Sequence, residues 1–439
     1  MLINANFAKL WLARTLSVLG DYIFNTTLVV WIAADLGKGQ SWSALAVSGL
    51  LAAAAVPTVL VGPLAGVFVD RWARPRRTMV AANLLSALAV LALLPLTGLV
   101  RTPLGPAAPP LAVTLPAIFA VVFVISVLGQ FSRPSAALLV LDLVPEASQP
   151  RAFGLNQTST YVAILLGPPL AAPLLFAFGA RWALLINAAS FLAALLLIRG
   201  MREIEEGAPS TEVLTARSVL GDFAAGLRFF VGSRTLTTIA GTVAIVMVGQ
   251  GALSALDIFF VTENLGAPAK NYGYLTGAEA VGMIAGSLGW GLLAPRIGLR
   301  RLFCGGLVGV GLGIVAYAQL THFGAALVLL ACVGLFSPAI NVALTPMLMR
   351  VTPRAFVGRV FATLDPILTL AAIAGTIAGG ALYSSAFRGF HARILGVAFG
   401  PLSAIFTGAG LLCLLGGLLA ARLLPAENDP PGDETVVEA

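Results

Sequence analysis

The sequence predicts an all-α membrane protein, with twelve transmembrane helices in two pseudo-symmetric six-helix bundles. Three observations carry that expectation. Of 439 residues, 59% are hydrophobic and 10% charged, with a mean hydropathy of +0.96, whereas a soluble domain carries about 25% charged residues. The apolar runs are unbroken over roughly 20 residues, the length of a bilayer-spanning helix, and lack the ~10-residue alternation of a membrane barrel. A pattern of small and basic residues then recurs in the second half of the chain. In lipid the backbone must satisfy its own hydrogen bonds, which these runs do as helices.

In chain order the predicted spans are 8–34, 43–69, 77–100, 113–142, 153–178, 181–199, 236–262, 272–294, 302–320, 323–349, 357–384 and 396–423. The first is too long for a signal-peptide core and is interrupted by Arg14 and Asp21, so it reads as a retained helix. The fifth contains Gly167, Pro168 and Pro169, a run that predicts a helix bend. The sixth closes an N-terminal bundle, 1–199. A polar linker follows at 200–234, in which Leu220, Phe223, Ala224, Leu227, Phe230 and Val231 recur at helical spacing. That pattern predicts an amphipathic helix on the inner membrane face. Residues 235–423 form the C-terminal bundle, and 424–439 an acidic, Pro-rich tail expected to be disordered.

Orientation follows from the loops. With the N-terminus inside, 18 Lys and Arg residues fall in inner segments and 6 in outer ones, with Arg14 and Arg133 left inside spans. The positive-inside bias therefore places both termini in the cytoplasm of a multi-pass protein of the cell (inner or plasma) membrane. Trp11, Trp31, Trp42, Trp182 and Trp290 lie near span ends, as an interfacial aromatic belt requires. The net charge of +7 is thus a topology signal, and no basic-aromatic patch for nucleic acid exists.

The most informative motif lies between spans two and three: Gly62, Gly66, Asp70 and Arg71, then Arg74, Arg76 and Arg77. Small residues four apart permit close helix approach, and an acid at the membrane edge can meet a helix N-terminus. A degenerate copy recurs as Gly291, Pro295, Arg296, Arg300 and Arg301, and the run Pro145 to Phe153 recurs as Pro353 to Phe361, with Arg151 matched by Arg359. Duplicated halves of this kind build many secondary transporters.

This loop resembles the signature loop of the major facilitator superfamily, and nearly the whole chain is similar to its macrolide and enterobactin exporter branch. The matching residues include Asn6, Phe7, Trp11, Gly20 and Asp21 at the start, Phe131 to Pro134, Gly167 with Pro168, Ile186 to Phe191, and Gly358 to Phe361. Two positions depart from the pattern: Ala171 and Ala172 stand where exporters usually have glycines, and Pro295 replaces the second acid. The resemblance implies alternating access, with Asp70, Asp142, Arg296 and Arg359 in gating networks beside the signature arginines, and Gly167 and Pro168 restraining proton leak.

Ionisable groups inside spans are costly in lipid and mark candidate transport residues. Arg14, Ser17, Asp21 and Asn25 form one stripe on the first helix, and Ser126, Gln130 and Arg133 another on the fourth, with Arg133 placed as counter-charge to Asp21. Gln250, Ser254 and Asp257 line the seventh helix and Tyr272, Thr276 and Glu279 the eighth. Asp257 and Glu279 lie roughly 10–12 Å deep and are placed to share a proton or cation. Structural salt bridges or interhelical hydrogen bonds are the alternative role for each of these groups.

Function classes narrow accordingly. Cys304, Cys332 and Cys413 lie in apolar runs, and the two histidines, His322 and His391, fall in predicted outer loops, so neither a disulfide framework nor a metal site is expected. No nucleophile–base pair or phosphate loop appears, so an enzyme is not expected, nor a cofactor. The expected partners are a small-molecule substrate, protons and the lipid bilayer, without nucleic acid, for a chain acting as a monomer. Proton-driven efflux of an amphiphilic drug- or siderophore-class compound is the leading reading. Proton-coupled nutrient uptake is its alternative, and a non-transporting scaffold or sensor a third.

Overall fold

A computed structural model describes residues 3–62, 74–97, 110–145, 148–201, 230–352, 357–386 and 397–424, together with 64–65, 68–69, 228 and 392–394. Twelve long helices run through them: α1 Ala5–Trp31, α2 Ser43–Leu60, α3 Pro75–Leu91, α4 Leu111–Leu143, α5 Gln149–Phe178, α6 Ala180–Arg199, α7 Arg234–Phe259, α8 Tyr272–Ile297, α9 Leu299–Tyr317, α10 Phe323–Val351, α11 Val357–Ala381 and α12 Pro401–Leu423. Ten are long and apolar enough to cross a bilayer. The other two are α3, which has 17 residues, and α8, which has 26.

Local chemistry sets the ends. Asn4 caps α1, its side chain accepting from Phe7 N–H at 2.8 Å, which satisfies one of the four free donors at a helix start. Two expected spans need correction. The third does not run to 100 as one α-helix: Pro95 has no N–H to offer the Leu91 carbonyl, and Leu94–Thr97 tightens into a 3-10 turn. The twelfth starts at 401 rather than 396. There Gly400 is extended and Pro401 takes the first helical position, while Val397–Phe399 pairs antiparallel with Ala392–Ile394 as a small hairpin, β1 and β2.

The chain divides into two compact units, Met1–Val213 with Ala267–Gly277, and Leu214–Gly266 with Ala278–Ala439. In the first, α1 packs on α5 and α6, α3 on α4 and α6, and α2 on α4. In the second, α7 packs on α11 and α12, and α9 on α10 and α12. Adding six to each helix number converts four of the first unit's five pairings into those of the second, and the fifth, α2 on α4, into the approach of α8 to α10 at Gly282. The second unit is closely zipped. A Cβ added at Gly251 would stand 2.0 Å from the Ala372 carbonyl, one at Gly375 1.9 Å from that of Val248, and one at Gly282 1.9 Å from that of Ala331. Only a hydrogen fits at these α7–α11 and α8–α10 crossings, which is the small-residue packing that lipid-embedded helices rely on.

The first unit's core gathers Phe7, Leu10 and Ala13 of α1 with Leu139, Val140 and Ile198. The tryptophans do more than mark an interface. Trp31 is only 6% exposed and donates to Asp35 at 3.1 Å, and Trp11 donates across to the Leu155 carbonyl at 3.2 Å. Of the expected linker helix, Arg228 and residues 230–232 are helical, while Leu220, Phe223, Ala224 and Leu227 lie outside the described residues, as does the tail from 425.

Candidate functional site: a charged cavity in the first bundle

Because α1 carries Arg14, Ser17, Asp21 and Asn25 at intervals of three, four and four, these side chains share one face. That face borders a cavity of about 510 Å³ lined by residues of α1 to α6, within the range of small-molecule sites. Gln130 and Arg133 of α4 line the same cavity, so the structure brings together Asp21, Asn25, Gln130 and Arg133, the first-half candidates for proton coupling and substrate binding. Asn25 and Arg133 are exposed to it, Asp21 and Arg14 half-buried, and Gln130 buried. Gln130 donates to Thr58 Oγ1 at 3.2 Å and Ser126 O at 3.4 Å. Pro134 lacks the N–H that would pair with the Gln130 carbonyl, a defect tolerated at membrane depth where backbone borders a cavity.

Arg14 and Arg133 lie close enough to repel, and Asp21 interacts with Arg133. Asp21 also meets Asn187 of α6. The buried Asn187 Nδ2 nonetheless lacks a hydrogen bond of normal length, so this contact is loose and a small shift of either group completes it. Gly20 makes the approach of α6 feasible: a Cβ there would lie 2.3 Å from Ser190 Oγ and 2.7 Å from Asn187 Oδ1.

The second unit holds the other pair. The Glu279 charge reaches Asp257, and Gly334 of α10 packs against the Glu279 backbone so closely that a Cβ would be 2.1 Å from its carbonyl. The stripes around them are less open than their spacing suggests. Ser254 Oγ donates to the Gln250 carbonyl at 2.9 Å and Thr276 Oγ1 to Gly273 O at 2.9 Å, so both hydroxyls are spent on their own helices.

The family model of the Major Facilitator Superfamily matches residues 10–259 and 238–439. The chain belongs to that superfamily. It is a multi-pass membrane transport protein for small molecules, not an enzyme. It is 23% identical over 385 residues to the uncharacterized MFS-type transporter YkuC of Bacillus subtilis strain 168, covering 84% of this chain and 83% of that one. It is 23% identical over 279 residues to the multi-drug resistance efflux pump PmrA homolog of Lactococcus lactis subsp. lactis strain IL1403, covering 61% and 66%. Among solved structures it resembles the nucleoside transporter NupG with a TM-score of 0.72 at 13% identity, over 95% of this chain and 98% of that one; this last likeness concerns fold alone.

For this transporter the signature loop is described in part. Gly62 faces α4, where a Cβ would lie 3.3 Å from Gln130 Oε1. Gly66, Asp70 and Arg71 lie outside the described residues, and of Arg359 only the backbone is described. Arg74 is exposed at the start of α3 and Arg77 beside it. Arg76 donates to the Ile198 and Arg199 carbonyls at 3.2 and 2.6 Å, capping the end of α6. Arg300 does the same for α12 through the Ala421 carbonyl. Asp142 and Arg296 are exposed near helix ends.

Sequence reasoning missed Asn187 as a neighbour of Asp21, and Asn83 and Thr58 in the cavity wall. Only the pairing of Gly20-Asp21 with Asn187 and Ser190 carried a hint. It also missed that Gly273 at the head of α8 sits on the proline run, where a Cβ would be 2.0 Å from the Pro168 carbonyl. Gly167 itself lies against Tyr22, with 2.6 Å left for a Cβ. Gly20 and Gly249 each seat their helix on the last helix of their own unit, against Asn187 and Ala409. In the repeat Asp21 is therefore matched by Gln250, an amide that cannot ionise.

Proposed function

We propose that this transporter exports a small amphiphilic organic compound in exchange for protons, by alternating access in the plasma (inner) membrane, with both termini cytoplasmic. Asp21, with Arg133 as counter-charge, couples proton to substrate in this reading, and Asp257 with Glu279 acts as the auxiliary acid pair. One observation carries it: a drug-sized cavity of mixed polar and apolar lining that holds a single carboxylate beside two guanidiniums. A carboxylate at that depth is costly when charged unless a cation or water meets it. Exchange requires proton and substrate to compete: substrate that donates a hydrogen bond to the ionised Asp21 favours proton release, and protonation removes that acceptor and releases substrate. Each ligand shifts the two-state balance only by its differential affinity for the two states. The efflux assignment of the Lactococcus relative supports the direction. Asp70, Arg71, Arg74, Arg76 and Arg77, with Asp142, Arg296 and Arg359, belong to the inner gate in this proposal, and Gly167 and Pro168 to a bend that limits leak.

The test is transport in proteoliposomes with an imposed pH gradient and the membrane potential clamped at zero. For one-for-one exchange of a neutral substrate, one pH unit sustains about tenfold accumulation. Asp21→Asn is expected to bind substrate yet accumulate none, and Glu279→Gln to show a weaker version of the same defect. A gradient response in Asp21→Asn equal to that of the unmodified protein moves the coupling site to Asp257 and Glu279. Uptake along the proton gradient instead of exchange against it establishes the symport alternative, and absence of any flux the scaffold one.

A further inference from the structure

The charges around the first-unit cavity bear on the sign of its occupant. Arg14, Arg133 and Asp21 line it, two cations against one anion. Asp21 stands seven residues from Arg14 on the same helix face, roughly 10 Å along the axis, so one carboxylate cannot neutralise both. It serves Arg133, while Arg14 and Arg133 remain within reach of each other's repulsion. Among the described residues neither guanidinium makes a hydrogen bond or a close ion pair. Each offers five N–H donors in a planar fork, and two such forks at membrane depth without acceptors are costly. An anion of planar or tetrahedral geometry is the group that satisfies both at once. Beyond the charges the wall is mixed: Val18, Val122, Ile125 and Phe191 alternate with polar side chains such as Asn25, Thr58, Asn83 and Ser126.

We propose that the cavity recognises an amphiphilic organic anion, its carboxylate, sulfonate or phosphonate head bridging Arg14 and Arg133 and its apolar body lying along the Val18, Val122 and Phe191 wall. The inference rests on the reading of this cavity as the transport site and narrows its substrate class. An anionic head that draws Arg133 away from Asp21 favours protonation of that carboxylate, so this substrate class implies that proton and substrate bind together, the coupling of the symport alternative. The resident carboxylate offsets part of the positive charge of the empty site.

Three probes sharing a naphthalene body test the sign: 1-naphthoate, 1-naphthylmethanol and 1-naphthylmethylammonium, titrated calorimetrically into the purified full-length protein in detergent. The carboxylate is expected to bind at least about tenfold more tightly than the alcohol, a preference of one charge-assisted contact. Arg14→Gln and Arg133→Gln should each remove that preference while leaving the alcohol's affinity within about twofold, which shows that the variants remain folded. Arg133→Lys, which keeps the charge and loses the fork, should fall between. Two results overturn the anion proposal and leave the cavity reading standing: tighter binding of the ammonium that Asp21→Asn abolishes, or a carboxylate preference that survives both glutamine variants while Gly129→Leu blocks binding. If probe binding is unmoved by Gly129→Leu and by both arginine variants, the cavity is not the site. The anion proposal and the transport-site reading then fall together. Failure of the carboxylate to bind at millimolar concentration also overturns the proposal.

Discussion

Gly20 and Gly129 are both glycines of the first bundle, and the space beside each separates a packing role from a cavity role. At Gly20 an added methyl would collide with Ser190 and Asn187, whereas at Gly129, which lines the cavity, it meets nothing within 4 Å. Gly20→Ala is therefore expected to lower stability by about 1–3 kcal/mol through overpacking of α1 on α6. Gly129→Ala should leave it unchanged or raise it by up to about 1 kcal/mol through helix propensity. Gly129→Leu should keep thermal stability but suppress transport by filling the cavity. Thermal unfolding read by fluorescence-detected size exclusion, set beside flux on the same preparations, checks all three. Spacing alone put Asp21 and Asn25 on one face of α1 and Gln130 and Arg133 on one face of α4, because helical periodicity converts directly into a shared face, whereas the meeting of the two faces in one cavity depends on helix packing. Asn187 was not legible in the same way. It approaches from α6, and the space that admits it depends on the missing side chain of Gly20, a contact with no periodic signature.

At the scale of elements, the arginines opening α3 and α9 act on helices far away in sequence. Arg76 closes the C-terminal carbonyls of α6 and Arg300 those of α12, and a cation there also opposes the negative end of the helix dipole. Each replacement by alanine should cost about 1–2 kcal/mol. Since the two caps lie in different units, the double variant should show additive losses. A fall in unfolding temperature of a few degrees per substitution, summing in the double variant, is the expected result, and full activity with no shift would show the caps to be solvent-borne. The repetition of Arg76-Arg77 as Arg300-Arg301 was plain in the sequence, but its acceptors are backbone carbonyls, which any residue supplies and no motif records. The hairpin Ala392–Ile394 with Val397–Phe399 was hidden for a different reason. Its valine, alanine and phenylalanine are as apolar as the helix that follows, so only the Gly400-Pro401 step marks the boundary.

At the scale of the whole molecule, the solvent made the fold legible and left the orientation to charge. Lipid forbids unpaired backbone and so reduces the architecture to counting spans. Crossing direction is set by the 18 basic residues of one set of loops against the 6 of the other. Each basic residue near the anionic inner leaflet is worth about 1 kcal/mol, so an inverted molecule would forgo the excess of one set over the other, far more than any single loop could offset. Four exposed positions test this. Gln40, between α1 and α2, and Lys270, ahead of α8, belong to the set expected outside, while Arg74, opening α3, and Arg422, near the end of α12, belong to the inner set. With Cys304, Cys332 and Cys413 replaced by serine, single cysteines at Gln40 and Lys270 should react in intact cells with a membrane-impermeant maleimide. Those at Arg74 and Arg422 should react only after the membrane is opened. Labelling of Arg74→Cys in intact cells would invert the map, moving both termini outside and turning the proposed exporter's inner gate toward the medium. Agreement at Gln40 and Arg74 but not at Lys270 and Arg422 would instead mean that the chain crosses an odd number of times between Arg74 and Lys270, against the count of spans.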